Sequence, residues 1–342
     1  MNGISYLTMF LEPVKPWLDD PAVSEIMING PQNIYIEKGG KIVRTEAAFP
    51  SEPALLAAAN NIAKSVGRIL NDEYPRLDAR LPDGSRVHVV IPPLSRCGTV
   101  VSIRKFRTDS LSPESLVQWK SISQEMLDYL KILVRKRMNI LVCGATSSGK
   151  TSILNVLSSF IDPSDRILTI EDSCELQLRQ PHLVPFETRR PDKDGTGEVT
   201  FRDLLHSALR LRPDRIILGE IRGGEALDLL QAMNTGHSGS MSTIHANNAH
   251  DSLLRLETCV MYAGFDLPLN AIRNQIVAAL NYVVHTGRLE DGSRKVLGIS
   301  RVLPLDHGEY RLETEWEWRQ SGTDESGKFI GEFIATGKSI LA

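Results

Sequence analysis

The sequence contains no run of about 18 uninterrupted apolar residues, the least that would span a bilayer as a helix. Its opening segment, MNGISYLTMFLEPVKPW, has no basic residue before Lys15 and no continuous apolar centre, so it makes a poor secretory signal. Cysteine is scarce: Cys97, Cys143, Cys174 and Cys259 lie far apart with no C-x-x-C pair. That spacing excludes a zinc ribbon, provides no disulfide framework, and makes a reducing compartment the default. Neither charge sign dominates, with 39 Lys plus Arg against 42 Asp plus Glu and a formal net charge of −3. Residues 1–107 carry +2 and the rest −5. A dedicated nucleic-acid binder carries a clear basic excess, so no nucleic-acid partner is expected. The cluster KILVRKR, Lys131 to Arg137, reads as the solvated face of a helix. These absences point to a protein that is cytosolic, or that docks on something that is not.

What remains is ordinary globular usage, 24% charged and 42% hydrophobic, over 342 residues, enough for two domains. Residues 1–107 read as an α+β domain with a small sheet. Short β-type runs at Ile26–Asn29 and Ile34–Glu37 flank the turn Gly30-Pro31, and Pro53 to Leu70 has helical spacing after Ser51, a cap. Leu77–Leu81 and Arg86–Ile91 flank Pro82-Asp83-Gly84 as a hairpin, and Val100–Phe106 is a further strand. Turn formers at 108–113 read as a linker. Residues 113–137 are expected to be helical, with Leu116, Met126, Leu130, Leu133 and Val134 on the apolar face. Within the second domain, 114–342, apolar strands at Asn139–Cys143, Arg166–Ile170, Arg215–Leu218 and Met241–His245 alternate with helices. The helices are Lys150–Phe160, Phe201–Leu211, Gly224–Met233 and Ala249–Tyr262. Such alternation predicts an α/β domain with a mainly parallel sheet covered on both faces. No internal repeat is present, and nothing after Val302 matches an assignable pattern.

The chemistry concentrates at Gly144-Ala145-Thr146-Ser147-Ser148-Gly149-Lys150-Thr151, which fits G-x-x-x-x-G-K-T, with Ser152 next in the chain. A phosphate chain needs a row of free backbone N–H groups; glycines let the loop wrap closely, and the following helix adds its N-terminal dipole. Lys150 would bridge the β- and γ-phosphates, and the Thr151 hydroxyl would ligate Mg²⁺. The pattern arises by chance in roughly one chain in a hundred of this length, and here a strand precedes it and a helix follows it. These residues therefore form a nucleotide site. Two acids follow apolar strands, Glu171 in ILTIED and Glu220 in IILGE, and a parallel sheet brings both to the edge that carries the loop. Either could instead be a solvated strand end. His237 and His245, eight residues apart, are not a metal pair; by type alone they read as packing or turn histidines, though His245 could sense a γ-phosphate.

The ordered set GATSSGKT, TIEDSCEL and RPDRIILGEIRGGEALDLLQAMNTGHSGSMSTIHAN resembles the type II/type IV secretion and pilus-assembly ATPase superfamily. DARLPDGSR at 78–86, IRKF at 103–106, QPH at 180–182, FETR at 186–189 and AMNTGH at 232–237 look most like its Tad (Flp) pilus branch, of the CpaF type. The resemblance covers about residues 15–302. It implies a RecA-like P-loop NTPase domain behind a smaller, PAS-like N-terminal domain, a hexameric ring, and nucleotide bound between the two domains. It implies ATP and Mg²⁺ as ligands, Glu171 as general base for the attacking water, and Glu220 as support for Mg²⁺. His245 would be the γ-phosphate sensor, with His237 a weaker candidate, and Arg86 and Arg104, less surely Arg80, would clamp phosphates. It implies a motor peripheral at the inner membrane, docked on a platform protein, that powers pilus assembly or secretion; a conjugation or type IV secretion ATPase shares every catalytic motif. A DNA motor shares the loop but is disfavoured by the charge balance, and a GTP switch lacks N-K-x-D. The chain lacks the tetracysteine zinc module of many relatives and the long N-terminal extension common in the CpaF type.

Overall fold

Short strands punctuated by turn residues build the first of two units, Met1–Asp109, and alternating strands and helices build the second, Ser110–Ala342. The structure, a computed structural model, describes residues 10–106, 112–191, 194–325 and 327–337. The expected linker at 108–113 lies, as far as residue 111, outside the described residues.

In the first unit a short helix, α1 (Lys15–Asp19), precedes β1 (Val23–Asn29), β2 (Ile34–Lys38) and β3 (Lys41–Arg44). Helix α2 (Glu52–Ser65) follows, then β4 (Arg76–Arg80), β5 (Arg86–Val90) and β6 (Val100–Arg104). The strands form one antiparallel sheet in the order β3-β2-β1-β6-β5-β4. Ser51 starts α2 by accepting a hydrogen bond from the Ala54 N–H at 3.3 Å. The helix stops short of Leu70, at Ser65, and Gly67 then takes a φ of 68°. Strand alternation does the rest: Ile26, Ile28, Val87, Val89, Val101 and Ile103 share a core with Leu55, Ala59 and Ile62 of α2.

The second unit opens with α3 (Pro113–Gln118) and α4 (Gln124–Arg135), two helices where one was expected. The break has a local cause: Lys120 adopts a φ of 54°, and the Ser123 hydroxyl caps the Met126 N–H at 3.2 Å, starting a fresh helix. Next come β7 (Ile140–Gly144), α5 (Lys150–Ser159), β8 (Ile167–Glu171), β9 (Leu183–Glu187), α6 (Phe201–Leu209) and β10 (Arg215–Ile221). They lead to α7 (Glu225–Asn234), β11 (Met241–His245), α8 (Ala249–Met261), α9 (Leu269–Ala279) and β12 (Tyr282–Arg288). Three long strands finish it: β13 (Arg294–Asp306), β14 (Glu309–Thr323) and β15 (Phe329–Ala335). The sheet runs β15-β14-β13-β12-β7-β11-β10-β8-β9. From β12 to β9 every neighbouring pair is parallel. The wing β12-β13-β14-β15 is antiparallel.

Both faces of the parallel part are covered, which is why its strands are apolar throughout. Ile140 and Val142 of β7 pack with Leu133, Ile153 and Leu157. Leu141 and Cys143 pack on the other side with Leu227, Leu230, Leu253 and Ile276. Trp316, in the segment that matched no pattern, lies 9% exposed in the first of these cores, its ring 6.3 Å from that of Tyr129. Among the described residues no helix is long and apolar enough to cross a membrane.

Candidate nucleotide site

Strand β7 ends in Gly144 because nothing larger fits: a Cβ there would stand 2.3 Å from the Thr286 carbonyl oxygen and 2.5 Å from Ser148 Oγ. The loop then turns through left-handed backbone at Ser147 (φ 60°) and Gly149 (φ 99°), and Lys150 begins α5. Two residues outside the motif hold the loop from the antiparallel side. Thr286 Oγ1 donates to the Cys143 carbonyl at 3.1 Å and lies 2.9 Å from Ser148 Oγ. Arg294 Nε donates to the Ser147 carbonyl at 2.8 Å. Sequence reasoning missed both, since β12 and β13 carry no motif.

Lys150 is only 8% exposed, and its ammonium donates to the carbonyls of Gly144 (3.1 Å) and Ala145 (3.0 Å). Burial draws its pKa below the ordinary lysine value, against the opposing pull of the Glu220 carboxylate. His245 stands in register with Gly144 on the neighbouring strand. Its Nδ1 lies 3.3 Å from the Lys150 ammonium, and its Nε2 lies 2.8 Å from Glu220 Oε1. Burial first, and the Lys150 charge second, hold the imidazole below the ordinary histidine pKa.

The two acids are held in different ways. Glu171, 4% exposed, accepts at Oε2 from the backbone N–H groups of Glu175 (2.7 Å) and Leu176 (3.0 Å). Gly219 leaves room for it: a Cβ there would meet Glu171 Cγ at 3.1 Å. Glu220 accepts at Oε2 from Arg222 Nε (2.8 Å) and Nη2 (2.5 Å). Its Oε1 is buried at ion-pair distance from His245 but without a hydrogen-bond donor in line. Arg222 is a further residue missed from sequence; it stands just past the end of β10, two residues after Glu220.

Parallel strands β7, β8, β10 and β11 thus bring the loop, Lys150, Glu171, Glu220 and His245 to one edge of the sheet. His237 is not among them: it precedes β11, at the opposite edge, with Nδ1 3.1 Å from the Pro213 carbonyl. Arg86 and Arg104 belong to the first unit, where they are cross-strand partners on β5 and β6, with Arg80 opposite Arg86 on β4. Among the described residues no group of three His, Cys, Asp or Glu could hold a resident metal ion.

A phosphate loop at the carboxyl edge of a parallel sheet, with a buried lysine and two ordered carboxylates beside it, defines a nucleotide hydrolase. The chain belongs to the type II/IV secretion system protein family, whose profile matches residues 10–323, and it is an ATPase. It is 34% identical over 319 residues to a Mycobacterium tuberculosis protein provisionally named for conjugal transfer, covering 92% of this chain and 90% of that one. It is 32% identical over 334 residues to the type IV secretion system protein VirB11 of Brucella suis, covering 87% and 92%. Among solved structures, the pilus retraction motor PilT with bound ADP matches at TM-score 0.57 and 19% identity, over 98% of this chain and 84% of that one, a likeness of fold alone.

Proposed function

We propose that this chain is a Mg²⁺-dependent motor ATPase that powers pilus assembly, or secretion, at an inner membrane. The observation that carries this reading is the contact series Lys150–His245–Glu220 beside the loop Gly144–Thr151. In this reading the backbone of 144–149, with Lys150, Thr151 and Ser152, binds the phosphates of ATP. Glu171, fixed through one oxygen by two backbone donors, orients and deprotonates the attacking water. His245, poised between the lysine and Glu220, reports the γ-phosphate, and Arg86 and Arg104 clamp phosphate charge. Catalysis is then positioning and charge stabilisation, since phosphoryl transfer asks little covalent chemistry of the protein.

The buried Glu220 Oε1, without a hydrogen-bond donor, suits support of Mg²⁺ through water, with Thr151 as the hydroxyl ligand. When bound, the ion would neutralise charge developing on the phosphates. Purified Lys150→Ala should lose roughly 100- to 1,000-fold in turnover, the scale for removing one charge-stabilising donor. Wild-type turnover in that variant would sink the site assignment.

The finer reading is a RecA-like domain behind a PAS-like one, assembled as a homo-hexamer and docked through a platform protein, in the Tad (CpaF-type) branch. Its support is the run of matching segments from Asp78 to His237. A second reading, a conjugation or type IV secretion ATPase, is favoured by the match to VirB11 over 87% of this chain. Affinity capture from native membranes separates the two: a pilus platform protein supports the first, a secretion-channel component the second.

A further inference from the structure

Arg222 follows the Glu220 strand end, and its side chain is 54% exposed, so it is not part of the core. Yet every part of it is engaged. Its backbone N–H donates to Glu225 Oε1 at 2.7 Å, beside the Gly223 N–H at 2.8 Å on the same oxygen. Glu225, 8% exposed at the first turn of α7, thereby fixes the main chain from which the guanidinium extends. Nε and Nη2 both reach Glu220 Oε2, at 2.8 and 2.5 Å, and Nη1 reaches Asp172 Oδ2 at 3.3 Å. The other oxygen of Asp172 accepts from Thr188 Oγ1 at 3.1 Å, so this carboxylate is held through both oxygens.

The consequence lies in Glu220. One of its oxygens is saturated by two donors of a rigid fork, while the other is buried 2.8 Å from His245 Nε2 with no hydrogen bond in line. A carboxylate free to rotate would exchange these roles. One held by the guanidinium cannot do so without breaking both bonds. The same fork joins Asp172, just after β8, to Glu220, near the end of β10, whose like charges would otherwise push the strand ends apart.

We propose that Arg222 is a positioning residue that assigns the two oxygens of Glu220 different tasks, holding Oε2 and presenting Oε1 toward the Mg²⁺-bearing phosphates. This rests on the reading of Glu220 as the carboxylate that supports Mg²⁺. Arg222 touches neither substrate nor metal itself; it acts through Glu220.

The test uses the full chain as R222Q, R222K, E220Q and the R222Q/E220Q pair. Two readouts apply: ATP turnover, and binding of a fluorescent ATP analogue as Mg²⁺ is titrated. R222Q should lose roughly 10- to 100-fold in kcat, the scale for removing a group that orients a metal-supporting carboxylate. It should need more Mg²⁺ for half-maximal analogue binding, yet bind the analogue normally once Mg²⁺ saturates. R222K, which keeps the charge but not the fork, should fall between R222Q and wild type. Adding R222Q to E220Q should shift the Mg²⁺ dependence no further. A further shift in the pair, or weakened analogue binding at saturating Mg²⁺ in R222Q, overturns the proposal. A shift in E220Q with none in R222Q overturns the positioning role alone. An unshifted E220Q overturns the role of Glu220 and this proposal with it.

Discussion

The two edges of the parallel sheet are built from the same strands, and both are crowded with charged and polar side chains. At the amino edge Arg215, Arg137 and Asn139 are each held by neighbouring groups. Arg215, 1% exposed, donates to Asp165 (2.9 Å) and to the carbonyls of Val134 (3.2 Å) and Gly239 (3.3 Å), while Arg137 reaches the other oxygen of Asp165 at 2.5 Å. Asn139 Oδ1 takes the N–H groups of Gly239 (2.7 Å) and Ser240 (3.0 Å), and its Nδ2 gives to the Ala279 carbonyl at 2.6 Å. At the carboxyl edge the pairing is less complete: Glu220 Oε1 is buried without a hydrogen bond, and Lys150 spends its donors on loop carbonyls and a histidine. Charge density does not separate a structural edge from a working one. A loop that can wrap phosphate, set beside a lysine and two carboxylates, does.

Substitution should split the edges cleanly. The largest effect is expected at Glu171: Glu171→Gln should lower kcat roughly 100- to 10,000-fold, the range for a general base, while ATP-analogue binding and melting temperature stay near wild type. A matching loss of binding would instead make Glu171 a nucleotide ligand. At the other edge Arg215→Ala should reverse the pattern, costing about 3–5 kcal/mol of stability by breaking a buried ion pair and leaving Asp165 to Arg137 alone, with turnover per folded molecule preserved. Denaturant unfolding and a turnover assay well below the transition decide this; a catalytic defect in the folded variant would break the distinction between edges.

The smallest effect is a titration. The native His245 imidazole takes up its proton below the ordinary value of 6.5, so the unfolded chain binds that proton first as pH falls. Its contribution to stability is therefore full above about pH 6.5 and declines as pH falls through the window down to the native pKa. Burial is the larger cause and the ammonium of Lys150 the next, so Lys150→Met should raise the His245 midpoint followed by proton NMR. An unmoved midpoint would remove the Lys150 charge from the causes.

The loop and the four strands of the parallel core were readable because each combined a continuous apolar run with a motif or a turn. Strand β9 was not, since Pro185 within Leu183–Glu187 argues against a central strand; the structure places β9 at the sheet's edge, where proline is tolerated. Strands β13 to β15 escaped notice because charged residues fill their exposed face, as in Glu313, Glu317 and Arg319 of β14. The histidines show the same limit within the site. By residue type His237 and His245 are equivalent; the pairing of His245 with Gly144 separates them, and only strand register supplies that. Thr286 and Arg294 were beyond reach for a related reason: their partners, Ser148 and Ser147, lie more than 130 positions earlier in the chain.

That distance bears on the order in which the molecule comes into being. Strand β7, which delivers the phosphate loop, lies between β11 and β12, partners that leave the ribosome some 100 and 140 residues later. Until Tyr282–Arg288 has been made, one side of β7 is unpaired, and the loop lacks the threonine that holds Cys143 and Ser148. The nucleotide motif is thus synthesised early and assembled late. A nascent chain ending before β12 already carries GATSSGKT without the framework that shapes it, and closing so long a loop makes this step slow compared with formation of the local helices. Productive engagement of ATP is therefore expected only once Tyr282–Arg288 has been made.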